Sequence, residues 1–304
     1  VNTTSCAPAA TAHAWQPRTT CDSGCVGIGD VARSRLRVAL RIALRVSLAL
    51  LLLPGLPLLA VPLPGQTQVQ RLYCRLVLRC FGVRITVSGS PIRNLRGVLV
   101  VSPHISWLDV FTIGSVLPGS FVARADMFSG FATGIVARIL KVIPIERSSL
   151  RQLPVVVDTV ARRLREGQTV VAFPEGTTWC GRHGPGAVTG AAARTHRGSG
   201  NFYPAMFQAA IDANRPVQPV RLTYHHVDGS LSTTPAFVGD DPLPRSVGRL
   251  LTQRRTLARV HVESLQLPTA NRRDLARRCQ SAVGVGTLQH RKRRRSRRGV
   301  LVAS

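Results

Sequence analysis

The chain has 304 residues, 44% of them hydrophobic, which is enough to bury a core in one large or two smaller domains and too apolar for a disordered chain. Its 41 Lys and Arg stand against 14 Asp and Glu, a net charge of +27 carried almost wholly by arginine. An excess of this size calls for an anionic partner, either nucleic acid or an anionic membrane surface, while seven scattered cysteines argue against a disulfide framework.

Residues 1–30 are small, polar and irregular and read as a flexible leader. Cys21 and Cys25 lie four apart, but no second Cys/His pair at finger spacing follows, so they are expected to be ordinary thiols of that leader rather than zinc ligands. Residues 31–81 read as a membrane-associated helical segment. Arg33, Arg35, Arg37, Arg41 and Arg45 precede an uncharged run from Val46 that approaches the length of a membrane span, and Pro54, Gly55, Pro57, Pro62 and Pro64 then break a straight helix. A single span and a broken, interfacial hairpin both remain open; a buried core helix would have to accommodate the arginines at its entry. In VQRLYCRLVLRCFG, Arg71, Arg75 and Arg79 recur at helical spacing on one face, the pattern of a basic amphipathic helix on anionic lipid.

From residue 82 to about 285 short β-branched runs (83–89, 97–102, 120–124, 169–174, 217–224, 258–264) alternate with helical stretches such as WLDVFTIGSVL and VVVDTVARRLREG. This predicts an α/β domain, a largely parallel or mixed sheet flanked by helices. Residues 286–304 form a basic tail, HRKRRRSRR at its centre, expected to be disordered.

Ligands of open α/β sheets bind beyond the carboxyl ends of the strands. Three polar segments fall at such ends: PHISWLD with His104 and Asp109, KVIPIERSS with Arg147, and FPEGTT with Glu175, Gly176 and Thr177. An imidazole whose second nitrogen meets a carboxylate suits a general base, although an HxxxxD pair by itself recurs often by chance. A guanidinium grips phosphate with paired donors, which makes Arg147 a candidate anion ligand. His225 and His226 end a strand with only Asp228 as an acidic companion and read as structural, and His183 and His196 read as residues of a solvated loop.

In this order and spacing PHISWLD, IPIERSS, FPEGTT and VQPVRLTY resemble the four blocks of the glycerolipid acyltransferase family, which includes the 1-acylglycerol-3-phosphate O-acyltransferases. The resemblance covers about residues 82–265. It implies the glycerol-3-phosphate acyltransferase-like fold, with His104 as catalytic base and Asp109 as its orienter. It also implies that Arg147, Glu175, Gly176 and Thr177 bind the acceptor, with Glu175 contacting a hydroxyl or bracing Arg147, and that Pro219 shapes the fourth block. Acyl-CoA or acyl carrier protein would be co-substrate and a lysophospholipid the acceptor, with no metal or other cofactor, at the cytoplasmic face of the cell membrane. Two departures stand out. Thr178 replaces the usual Arg after FPEGT, and Pro103 replaces the usual Asn before the His. Loss of a phosphate-side cation leaves another lysolipid, such as a lyso-ornithine lipid, open as acceptor, unless Arg182, Arg194 or Arg197 substitutes. Nucleic-acid binding is the reading from a different class; against it stand an aromatic content of 5% and the lack of any helix-turn-helix, RRM or finger signature. A hydrolase on the same fold is disfavoured by the absence of GxSxG.

Overall fold

The computed structural model describes residues 17–27, 34–61, 65–89, 95–128, 130–146, 150–182, 199–239 and 241–284. Seven strands form one sheet: β1 (Val83–Gly89), β2 (Leu99–Val101), β3 (Ser120–Arg124), β4 (Ile143–Ile145), β5 (Val170–Ala172), β6 (Val217–His225) and β7 (Thr256–Val262). Their spatial order is β1-β7-β6-β2-β5-β3-β4, and every neighbouring pair is parallel except β6 with β7. The sheet is therefore mixed, with a parallel centre.

That centre is buried on both faces, as parallel strands under crossover helices must be. Along β2 the side chains alternate. Val98 and Val100 enter one core with Leu108 and Ile113, while Leu99 and Val101 enter the other with Val160, Leu164 and Phe207. The first core is closed by α2 (Gln66–Cys80), α3 (Leu108–Gly114) and α7 (Leu243–Thr252), through Leu78, Leu108, Ile113 and Leu250. The second is closed by α5 (Leu153–Arg165), α6 (Ala205–Asp212) and α8 (272–284), through Val160, Leu164, Phe207 and Leu275. Helix α4 (Phe131–Ile139) precedes β4, which sequence pattern marked only as the strand end in KVIPIERSS; helices α7 and α8 were not separated by it. Arginine-rich segments such as LPRSVGRLLT hide their apolar stripe among charges.

The N-terminal segment is a helical hairpin. Helix α1 (Arg35–Leu52) runs into a 3-10 turn, Leu53–Leu59, with Pro57 inside it, and α2 returns along α1. Helix α1, with the turn that follows, is long and apolar enough to cross a membrane, yet it is held against the domain at its middle. Arg45 is buried. Its Nη1 donates to the carbonyls of Leu250 (3.0 Å), Leu251 (3.0 Å) and Gln253 (2.7 Å), and its Nη2 to that of Arg254 (3.0 Å). Arg41 adds a bond to the Thr252 carbonyl at 2.9 Å. These carbonyls lie at and just beyond the C-terminal end of α7, where a cation is favoured by the helix dipole. The guanidinium lies against Gly82, whose φ of +71° suits glycine and where a Cβ would stand 2.0 Å from Arg45 Nη2.

The rest of α1 carries an apolar stripe left uncovered by the described residues: Leu36, Leu40, Leu44, Leu48 and Leu51 are exposed. Helix α2 departs from a helix lying wholly on lipid. It buries Cys74 and Leu78 against the domain, leaving Arg75, Arg79 and Leu72 outside. The leader also differs from expectation. Residues 17–27 are packed, with Cys21 and Cys25 buried and Gly27 N donating to Thr233 Oγ1 at 2.8 Å. The cause is long-range packing against residues more than 150 positions away, which small polar composition does not signal. The basic tail expected beyond residue 285 lies outside the described residues.

Candidate functional site

The three central strands converge on one site. Strand β2 ends at Val101 and hands the chain through Ser102 and Pro103 to His104; β5, on one side, ends at Ala172 and leads to Glu175; β6, on the other, carries Tyr224. All three run parallel here, so their carboxyl ends share an edge.

The turn after β2 is built around one carboxylate. Asp109, in the first turn of α3, is fully buried, and its Oδ2 accepts from Ile105 N (2.6 Å), Ser106 N (2.9 Å) and His104 Nδ1 (2.8 Å). Its Oδ1 accepts from the Tyr224 hydroxyl at 2.8 Å. These donors fix the carboxylate, and the carboxylate fixes the imidazole with its proton on Nδ1. The ring stacks on Phe173 with centroids 4.0 Å apart at 16°, and 17% of the side chain stays exposed. Nε2 is left as the basic nitrogen, able to take a proton from an incoming hydroxyl. The contact with Asp109 and burial beside the apolar core push the Tyr224 phenol well up from its ordinary value, burial being the larger cause, so it acts here as a proton donor.

Glu175 is held differently from a ligand-binding carboxylate. It is 1% exposed; Oε2 accepts from His104 N at 2.9 Å, and Oε1 from Ser199 Oγ (2.5 Å) and Gly200 N (2.8 Å). Both its oxygens are thus engaged by contacts within the protein. Glu175 ties the β5 loop to the backbone of the very residue that carries the imidazole. Burial lifts its carboxyl to about 7 against the opposing pull of these donors, with Asp109 adding a small rise. A second tie, Trp179 N to His104 O at 2.8 Å, holds the same junction. Gly176 has φ +70°, and a Cβ there would meet Pro17 Cγ at 2.5 Å, so the FPEGTT turn requires glycine both for its conformation and for the packed N-terminal segment over it. Thr177 and Thr178 are half-buried beside it.

His104, Asp109, Glu175, Gly176 and Thr177 are therefore brought together around one strand edge. Arg147 lies outside the described residues, as do His183, Arg194, His196 and Arg197. His225 is engaged by Thr223 Oγ1 (3.0 Å) and the Gly229 carbonyl (3.1 Å), in keeping with a structural role. Pro219 pairs with Val101 across β6 and β2, at the approach to the His104 turn. Sequence reasoning missed Tyr224, Ser199 and Phe173. For Tyr224 a signal existed: in VQPVRLTYH the residues Val220, Leu222 and Tyr224 share one face by their period of two, and that face points into the first core.

A mixed α/β sheet with an oriented imidazole at the end of its central strand defines the class of architecture, and comparison with known proteins assigns it. The acyltransferase family model matches residues 84–223, from β1 through most of β6. The 1-acyl-sn-glycerol-3-phosphate acyltransferase of Neisseria meningitidis serogroup B is 31% identical over 186 residues, 60% of this chain and 66% of that protein. The lyso-ornithine lipid O-acyltransferase of Pseudomonas aeruginosa is 31% identical over 202 residues, 66% of this chain and 70% of that protein. The crystal structure of the 1-acyl-sn-glycerophosphate acyltransferase PlsC from Thermotoga maritima shares the fold, with a TM-score of 0.58 over 84% of this chain and 97% of that one, at 16% identity. The chain belongs to the acyltransferase family. It spans just under two thirds of the length of the Neisseria relative.

Proposed function

We propose that the protein transfers an acyl group from a thioester, acyl-CoA or acyl carrier protein, to the hydroxyl of 1-acylglycerol-3-phosphate, giving phosphatidic acid. The observation that carries this reading is the His104–Asp109 pair, a buried carboxylate holding an imidazole whose Nε2 alone is left to substrate. His104 Nε2 takes the proton of the acceptor hydroxyl as the oxygen attacks the thioester carbonyl. The tetrahedral adduct collapses with rupture of the C–S bond, and the imidazolium returns the proton to the departing thiolate. No acyl-enzyme is required, and holding both substrates in line supplies much of the acceleration. Asp109 stabilises the imidazolium, Tyr224 and Glu175 keep the pair in place, and Arg147 with the Gly176–Thr177 turn receives the anionic head of the acceptor.

The substrates are membrane lipids, and the uncovered leucines of α1 give the enzyme a means of reaching them. With Arg41 and Arg45 committed to α7, α1 lies along the domain, and its stripe dips into one leaflet at the cytoplasmic face while exposed arginines meet anionic headgroups. Thr178, in place of a cation after FPEGT, supports a second acceptor, a lyso-ornithine lipid, and relatives named for each acceptor are similar to this chain.

The test uses detergent-solubilised protein, a thioester donor and thiol release as readout. Lysophosphatidate and lyso-ornithine lipid are offered separately, each with a His104→Ala control. Turnover of lysophosphatidate that vanishes in the variant supports the first acceptor; turnover of the ornithine lipid alone keeps the mechanism and changes the substrate. No thiol release with either lipid, from either acyl-CoA or acyl carrier protein, refutes the reading. Arg147→Ala is expected to raise the acceptor KM at least tenfold with little change in kcat, as loss of a charge-assisted contact to phosphate predicts.

A further inference from the structure

Three cysteines far apart in sequence meet beside the site. Cys21 and Cys25, from the packed N-terminal segment, and Cys180, five residues after Glu175, place their sulfurs within 4.8 Å of one another, and all three are buried. The proton-transfer chemistry above uses none of them. We propose that Cys21, Cys25 and Cys180 bind a structural zinc ion that staples residues 17–27 onto the loop from Phe173 to Arg182.

Geometry supports this first. Tetrahedral zinc with sulfur at about 2.3 Å needs sulfur–sulfur separations of about 3.8 Å, a contraction of at most about 1 Å from the positions seen. A backbone donor already points into the cluster: Cys180 N donates to Cys21 Sγ at 3.4 Å. Such N–H donors to sulfur are what a metal thiolate site requires to offset its charge. A divalent cation would take up all three as thiolates and release their protons to solvent. Soft sulfur donors select zinc over magnesium or calcium.

The fourth zinc position is open to water or a side chain. In sequence His183 follows Cys180 by three residues; it lies outside the described residues, and the site rests on the three thiols. The ion would sit one residue from Trp179, whose amide holds the His104 carbonyl, so it would brace the imidazole turn without touching substrate. This departs from the sequence expectation of no metal, and it does not depend on the acyl-transfer reading.

The experiment takes the full chain, purified without chelator from zinc-replete cells, and measures zinc by elemental analysis. About one zinc per chain is expected, released in step with the blocking of three thiols by an organomercurial. The metal-stripped protein, titrated with cobalt(II), should show thiolate-to-cobalt charge-transfer absorption and the intense visible bands of a tetrahedral site. Cys180→Ser should bring bound zinc below about a tenth of the wild-type content, whereas Cys279→Ser, an equally buried cysteine in the other core, should retain it. Sub-stoichiometric zinc in the wild-type protein together with no thiolate-to-cobalt band would overturn the proposal. So would a disulfide among these three residues in freshly purified protein. Both readouts are taken on wild-type protein, so failure of a variant to fold cannot mask the answer.

Discussion

Replacing Asp109 by Asn separates the charge of this carboxylate from its shape. An Asn side chain can set its oxygen where Oδ2 now lies and keep the bonds from Ile105 N, Ser106 N and His104 Nδ1. Its NH2 group then faces the Tyr224 hydroxyl, which can turn to accept it and direct its own proton toward Thr112 Oγ1, 3.5 Å away. The rearrangement costs one good hydrogen bond, so stability should fall by only about 1 kcal/mol. The charge is lost outright. A carboxylate and an imidazolium with centres about 4 Å apart attract by about 4 kcal/mol at an effective dielectric near 20, equivalent to roughly a thousandfold in rate. Solvent at the partly exposed ring trims this, so Asp109→Asn should lower kcat about a hundred- to a thousandfold with little change in acceptor KM. The assay is thioester cleavage dependent on lysolipid, with a thermal melt of the same preparation. A folded variant with kcat within about tenfold of wild type would show that Asp109 only shapes the turn and that the imidazolium is not formed in the rate-limiting step.

His104→Ala should lower turnover by at least about a hundredfold while the melting temperature stays near wild type, since the ring is partly exposed and packs chiefly on Phe173. Glu175 makes a pH-dependent contribution of a particular sign. Its carboxyl rises from 4.5 to about 7 on folding, so the folded state holds its proton more tightly, and stability falls as pH climbs from the unfolded value through about 7. The amount is about 3 kcal/mol, and Glu175→Gln should flatten that part of the profile in denaturant melts from pH 4.5 to 8; an unchanged slope would remove Glu175 as its source. The Gln variant should also be less stable at neutral pH by about 1–3 kcal/mol, because one oxygen cannot accept from His104 N on one side and Gly200 N on the other. Arg45→Ala should cost roughly 2–4 kcal/mol by exposing the carbonyl end of α7. Arg45→Lys should recover little, since one ammonium cannot span four carbonyls; full rescue by Lys would show that charge alone holds α1.

Local pattern carried a large part of this protein. The strands were legible, β4 only as the strand end in KVIPIERSS, because β-branched runs alternate with helical stretches, and a run such as GVLVVS has no charge to place at a surface. His104 and Asp109 were legible because the carboxylate that orients the ring sits in the next turn, five residues on, where chain geometry alone brings it back. Glu175 was visible as a residue, while its partners within the protein were not. Its FPEGTT context marks a strand end, but only the folded chain reveals that Ser199 and Gly200 return to fill its second oxygen.

What tertiary structure decided are the contacts that span long separations. The insertion of β7 between β1, which it meets parallel, and β6, which it meets antiparallel, depends on strands competing for edges, which no window of sequence records. Whether α1 is a free span or a docked helix turned on Arg45, which looks like any other arginine of VARSRLRVALRIALRVS until the end of α7, more than two hundred residues away, receives it. Cys21, Cys25 and Cys180 teach the same lesson. Spacing can reveal ligands that share a turn, but a cluster assembled across 159 residues exists only after the core has formed around it.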